Sequence, residues 1–340
     1  MLDIYRNRNN FLLYNNVESR LIFSQCTDAE IDISICIPTY KRADTLFEAI
    51  DSAIKQKSSG LSYEIIILDN DPDFKNTKIS DMVQQKEFAN LLYYKNTKNI
   101  GMFGNINRCF ELARGRYVSL LHDDDLLCNG YLKSIKKFLY TKCNCVINNF
   151  TFFSNTIPDS GLDKRHMTYK EHIKYLIRMF IIFFLPEKTQ LYNWQSYFLH
   201  WNIFGPPSCG IIFEKKTFLL SGGFDETFFP SSDWYFMLYY NKHYNVVKLH
   251  KNLSLYRWEI NESQKPETQA LSISQFKPCI EYLRNTFKSI ILKNFFYNYI
   301  LEDLYRTYNI NEKYVKNHVF IKNIYSLIKK IINKLIYYTK

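Results

Sequence analysis

A chain of 340 residues with 46% hydrophobic and 23% charged residues carries enough apolar material for a real core, which excludes a disordered protein. A formal charge of +11 suits an anionic partner: nucleic acid, a phosphorylated ligand or an acidic membrane surface. The eight cysteines form no paired Cys-x-x-Cys units, which argues against a zinc ribbon, and the densest apolar run, Met179 to Leu185, is far short of the roughly 20 residues that cross a bilayer. Met1 to Asn10 is polar and charged, so a cytoplasmic protein is expected.

Residues 1–30 lack periodicity and are expected to be an N-terminal extension. Ile33 to Ile37 predicts a strand, and Leu46, Ala49, Ile50, Ala53 and Ile54 give helical spacing over 45–56. Glu64 to Leu68 predicts a second strand, 77–88 a helix, Leu91 to Tyr94 a third strand, 105–113 a helix, and Tyr117 to Leu121 a fourth strand. This alternation points to a parallel sheet covered by helices, whose ligands bind at the carboxyl ends of the strands. Three such ends carry polar groups: Pro38-Thr-Tyr-Lys-Arg42, Asp69-Asn70, and His122 to Asp125. Further on, 145–153 and 211–214 read as strands, 165–200 and 234–241 as helices, and the chain beyond 270 as mostly helical. Ile321 to Tyr338 is a basic amphipathic stretch, read either as a membrane-surface helix or as a helix docked on its own domain.

Asp123, Asp124 and Asp125 follow an apolar strand directly. Adjacent carboxylates repel, and hard oxygen ligands at a strand end suit Mg²⁺ or Mn²⁺ bridging to phosphates; an isolated acidic run would otherwise read as a solvated loop. Asp233, at a predicted helix start, reads by itself as a cap.

Taken in order, several segments resemble the inverting glycosyltransferases of family two with the GT-A fold, over about 31–260. They are Ile35-Cys-Ile-Pro-Thr-Tyr-Lys-Arg42, Glu64 to Asp71, Asn99-Ile-Gly101 with Asn107 and Ala113 to Tyr117, His122 to Asp125, Gly222-Gly-Phe-Asp-Glu226, and Ser232-Asp233. The resemblance implies a Rossmann-like, mostly parallel α/β sheet flanked by helices, with nucleotide-sugar binding in 31–125, an acceptor side in 126–260 and a helical C-terminal region in 261–340. It implies Asp233 as the catalytic base and Asp124 as the ligand of Mn²⁺ or Mg²⁺, with His122 as a second candidate ligand. Pro38, Thr39, Tyr40, Arg42, Asp69, Asn70, Asn99, Gly101, Asn107, Asp123 and Arg257 are the implied donor-binding residues. Among these, Tyr40 is expected to stack on the base, Asn70 to accept the imide proton of uracil, and Arg257 to close over the diphosphate. His122 stands where the family carries the first Asp of its metal motif, and Asn70 where an acid is common.

The implied function is transfer of a hexose or N-acetylhexosamine from a nucleotide-diphosphate sugar, with UDP expected, to a glycan or lipid-linked hydroxyl in bacterial surface-polysaccharide synthesis. A peripheral contact with the inner face of the cytoplasmic membrane through 321–338 accompanies it, and no nucleic acid. A sugar-phosphate nucleotidyltransferase and a non-catalytic carbohydrate-binding protein are the alternatives. The first should carry a Gly-rich phosphate turn, where this chain has Pro38 to Arg42; the second has no use for carboxylates at both 124 and 233.

Overall fold

The computed structural model describes residues 8–27, 29–57, 59–154, 190–192, 208–257, 265–272 and 274–275. In chain order the described elements begin with a 3₁₀ turn (Asn10–Tyr14), β1 (Ser19–Ser24), β2 (Ile33–Thr39), α1 (Ala43–Ile54), β3 (Tyr63–Asp69), α2 (Lys78–Gln84) and β4 (Leu91–Asn96). There follow α3 (Met102–Leu112), β5 (Tyr117–Leu120), β6 (Leu126–Leu127), α4 (Tyr131–Leu139), β7 (Cys145–Phe153), β8 (Gln190–Tyr192) and β9 (Ile212–Glu214). Then come α5 (Lys215–Leu220), a 3₁₀ turn (Glu226–Phe228), α6 (Ser232–His243) and β10 (Val246–Arg257).

The ten strands form one sheet in the order β1-β4-β3-β2-β5-β9-β7-β10-β6, with β8 paired to β10. β4, β3, β2 and β5 are parallel neighbours. β9 then enters antiparallel to both β5 and β7, and β10 runs parallel to β7. The sheet is therefore mixed, with its parallel half where the strand–helix alternation predicts it.

The apolar runs account for the layers. In β2 the side chains of Ile33, Ile35 and Ile37 join one core with Leu46, Ala49, Ile50 and Ala53 of α1. Cys36 points to the other core, with Phe103, Ile106 and Phe110 of α3 and Phe236 of α6. A strand covered on both faces has no polar side, so its sequence reads as a continuous apolar run. Each fully buried Ile or Leu contributes about 1.5–3 kcal/mol relative to exposure, so α1 and α3 are fixed chiefly by these stripes.

Some expectations need correction. The N-terminal residues are part of the fold: β1 pairs antiparallel with β4, and the Asn10 backbone N–H donates to the Gly222 carbonyl at 3.0 Å. α2 stops at Gln84, four residues short of the predicted end, and α3 starts at Met102, three residues early. β10, broken by Lys248, Lys251 and Asn252, escaped prediction because register shifts against β7 destroy its alternation. Within 165–200, read as helical, Gln190–Tyr192 is the strand β8 instead; the rest of that region and the 321–338 stretch lie outside the described residues.

Candidate active site

The ends of β2, β3, β4 and β5 open on one rim. Tyr40, immediately after β2, is 43% exposed, available for stacking, with the Lys41 ammonium 5.2 Å from its ring centre. Beside it, Thr39 Oγ1 donates to Asp123 Oδ2 at 2.7 Å, and Arg42 Nη1 donates to Asp124 Oδ2 at 2.6 Å and to Asp123 Oδ1 at 3.5 Å. The turn after β2 thus holds the acidic turn after β5. Burial, and then the neighbouring Asp124, raise the Asp123 carboxyl to about 6. Burial raises Asp125 to about 8, and its Oδ1 accepts from the Arg257 backbone N–H at 2.9 Å.

Asp124 fits a divalent cation by the chemistry of its donors. Its carboxylate is at the rim, and Arg42 already sets a positive charge against it. Among the described residues no three His, Cys, Asp or Glu side chains gather as a ligand cage. A single carboxylate therefore has to share the ion with substrate phosphates and water, which is how Mg²⁺ is commonly held.

His122, the second candidate ligand, engages Ser208 through one ring nitrogen. Its Nε2 lies 2.8 Å from Ser208 Oγ, and burial lowers its pKa, so the ring is neutral at pH 7. The Ser208 hydroxyl also neighbours the Asp233 carboxylate and opposes the rise that burial gives it. Ser208 thus stands between the start of α6 and the end of β5. Asp233 sits in the first turn of α6, accepting from the Trp234 N–H at 2.8 Å, and burial raises its carboxyl to about 6. Trp234 is 6% exposed and belongs to the core.

Four of the implied donor residues do different work. Asp69 is 1% exposed: Lys95 Nζ donates to it at 3.1 Å, Tyr93 at 3.0 Å, and the Asp71 N–H at 2.9 Å, so it is a buried pairing centre. Asn70 Oδ1 accepts from Asn96 Nδ2 and from the Ile100 N–H, both at 3.0 Å, while its Nδ2 donates to Asn99 Oδ1 at 2.8 Å and to the Gly101 carbonyl at 2.9 Å. A carbonyl with both lone pairs engaged has none left for a uracil imide; Asn70 instead shapes the 96–101 turn. Asn107 donates to the Phe224 carbonyl at 2.8 Å and accepts the Phe224 N–H at 2.9 Å, holding the 222–226 loop. Arg257, 2% exposed, donates from Nε to the Asp124 carbonyl at 2.8 Å and from Nη2 to Glu48 at 2.7 Å, with Phe153 under its guanidinium at 4.5 Å. It supports the acidic turn from beneath and does not close over a diphosphate. Pro38, Tyr40, Arg42, Asn99 and Gly101 remain at the rim.

Two residues with clear positions escaped the sequence reading. Ser208 follows Gly205-Pro-Pro207 in the sequence and carries no spacing signal. Glu226 was legible only as part of Gly222 to Glu226; the hint was that α3 begins behind a glycine and so lacks a side-chain cap of its own.

A family model described as Glycosyl transferase family 2 matches residues 34–202. The chain is 27% identical over 207 residues to an uncharacterized glycosyltransferase, MJ1057, of Methanocaldococcus jannaschii, covering 61% of this chain and 63% of that one. It is 29% identical over 138 residues to the GalNAc(5)-diNAcBac-PP-undecaprenol beta-1,3-glucosyltransferase of Campylobacter jejuni, covering 39% of this chain and 44% of that one. The chain therefore spans less than two thirds of the length of these relatives. In fold it is similar to residues 1–349 of TarS from S. aureus in complex with UDP-GlcNAc, with a TM-score of 0.56 at 14% identity, over 86% of this chain and 78% of that one. It is also similar to the mannosyltransferase PcManGT of Pyrobaculum calidifontis in complex with GDP-Man and Mn²⁺, with a TM-score of 0.52 at 10% identity, over 89% and 81% of the two chains.

Proposed function

We propose, on the match of residues 34–202 to the Glycosyl transferase family 2 model, that the chain transfers a hexose or N-acetylhexosamine from a UDP-sugar to a hydroxyl of a glycan or lipid-linked acceptor, with inversion at the anomeric carbon. The observation that supports this is the placement of Ser208, 2.8 Å from His122 and beside Asp233, which brings a general-base candidate near the acidic turn that suits a diphosphate and its cation.

In this reaction Asp233 takes the proton of the acceptor hydroxyl as that oxygen bonds to the anomeric carbon. The bond from the anomeric carbon to the diphosphate oxygen breaks with its electron pair leaving on the diphosphate. A divalent cation held by Asp124 offsets that charge when bound. Tyr40 would stack on the base, and Arg42, ion-paired to Asp124 in the structure, would be close enough to meet the phosphates. Asp233, near 6, is mostly ionised at pH 7 yet basic enough to accept a proton, and such a base contributes roughly 10²–10⁴ in rate. The glucosyltransferase relative, by its name acting on an undecaprenol-linked glycan, supports a lipid-linked acceptor and a role in surface-polysaccharide assembly. Among the described residues no helix is long and apolar enough to cross a membrane. The basic amphipathic stretch at 321–338 is our candidate for membrane contact.

The experiment is a panel of UDP-, GDP- and dTDP-sugars with Mn²⁺, read by thermal stabilisation and then by the anomeric configuration of the product. A UDP-sugar at 100 times its dissociation constant should add about 2.7 kcal/mol of stability, and the product should be inverted. Retention of configuration, or stabilisation by none of the nucleotide-sugars, refutes the proposal.

A further inference from the structure

α3 is an eleven-residue helix whose first turn is capped from a distance. It begins behind Gly101, with φ +78° and no capping side chain of its own. The free N–H groups of Phe103 and Gly104 donate instead to Glu226 Oε2 at 2.9 and 3.2 Å, across more than 120 positions of chain. A helix end without such a partner leaves buried donors unsatisfied, and a carboxylate there also meets the positive end of the helix dipole. Gly101 is shaped to this contact: a Cβ there would lie 2.8 Å from the Glu226 carboxyl carbon.

Three side chains of α3 and its neighbours extend the connection. Asn105, one turn along, donates to the Leu68 carbonyl at 3.1 Å and the Thr39 carbonyl at 3.4 Å, at the ends of β3 and β2. Asn70 binds the Gly101 carbonyl and Asn99. On the opposite side, Asn107 pairs with both backbone groups of Phe224, two residues before Glu226. α3 therefore ties the turns at 39, 70 and 99–101 to the 222–226 loop, which runs in seven residues to Asp233.

We propose that Glu226 is a positioning residue for the nucleotide: from the acceptor-side loop it fixes the 99–101 turn against the donor, and so couples donor binding to the placement of the loop that leads to Asp233. The proposal rests on the functional reading above, in that it takes 99–101 as part of the donor site. Coupling is reciprocal, so a loop that orders the nucleotide turn is itself ordered when nucleotide binds.

The test is titration calorimetry of UDP, or GDP if the wild type prefers it, with Mn²⁺, together with kcat at saturating donor. Glu226→Ala should weaken nucleotide binding about 5- to 30-fold while kcat at saturating donor stays within about threefold. Glu226→Gln keeps an accepting oxygen and should recover part of that loss. Gly101→Ala, with Glu226 intact but its carboxylate crowded, should weaken binding in the same way and serves if Glu226→Ala fails to fold. Asp225→Ala, which removes only the cap of its own turn at Thr227, should leave binding unchanged. Unchanged nucleotide affinity in the Glu226 variants overturns the proposal whatever happens to Tm, as does a fall in kcat with affinity intact. A wild type that binds no nucleotide overturns the functional reading and this proposal with it; a wild type that binds while Glu226→Ala binds equally well overturns this proposal alone.

Discussion

Asp233 starts from an ordinary carboxyl pKa of 3.8 and is raised to about 6 by burial, against the opposing hydrogen bonds from Trp234 and Ser208. If it is the base, kcat should rise with pH along an acid limb near 6, and Asp233→Asn should abolish that limb while lowering kcat by roughly 10²–10⁴. A stability effect follows with a definite sign. The folded protein holds this proton to higher pH than the unfolded chain does, so it binds more protons between about pH 4 and 6, and Asp233 removes stability as pH rises through that window. Asp233→Asn should therefore raise Tm above pH 7 relative to wild type and lose that advantage near pH 4. Asp124 and Asp233 could be proposed from the sequence because a resemblance carried over in order implies roles for them. Asn70, Asp69, Asn107 and Arg257 were mislocated because their roles depend on partners such as Asn96, Lys95, Phe224 and Glu48, which only the fold brings to them.

At the level of elements, the parallel half of the sheet was readable because strands buried on both faces are continuous apolar runs, as in Ile65 to Leu68, all at 0% exposure. β1 was not readable: it is an edge strand with Leu21 and Ile22 exposed, so neither alternation nor a buried run marks it. Helix starts were set by a signal absent from the local sequence, as α3 shows by starting early under a carboxylate from another loop. The same helix makes a prediction. Asn107→Ala leaves the buried N–H and C=O of Phe224 without their partner, and each unsatisfied group costs about 1–3 kcal/mol. Tm should fall by several degrees, with the loss read in thermal unfolding, and retained Tm would remove Asn107 from the role of loop holder.

Across the molecule, one mixed sheet carries the turns proposed to hold the donor on its parallel half and, through α3 and the 222–226 loop, the first turn of α6. The Asn10 segment and β1 brace the same loop and the far edge of the sheet. Membrane contact is a separate question at this scale. Full-length protein should co-sediment with anionic vesicles more strongly than protein truncated at Asn311, with the difference reduced by salt as surface charges are screened. Equal binding by the two would take the 321–338 stretch out of that role.

The central claim is that Asp124 and Asp233 serve one transfer from two sides of one cleft. Nucleotide affinity with Mn²⁺ and single-turnover rate, measured side by side on Asp124→Ala and Asp233→Asn, test it most directly. Asp233→Asn should bind nucleotide and metal as the wild type does and transfer orders of magnitude more slowly, and Asp124→Ala should lose the metal-dependent part of binding. Wild-type turnover by Asp233→Asn, or metal-dependent binding untouched in Asp124→Ala, contradicts it.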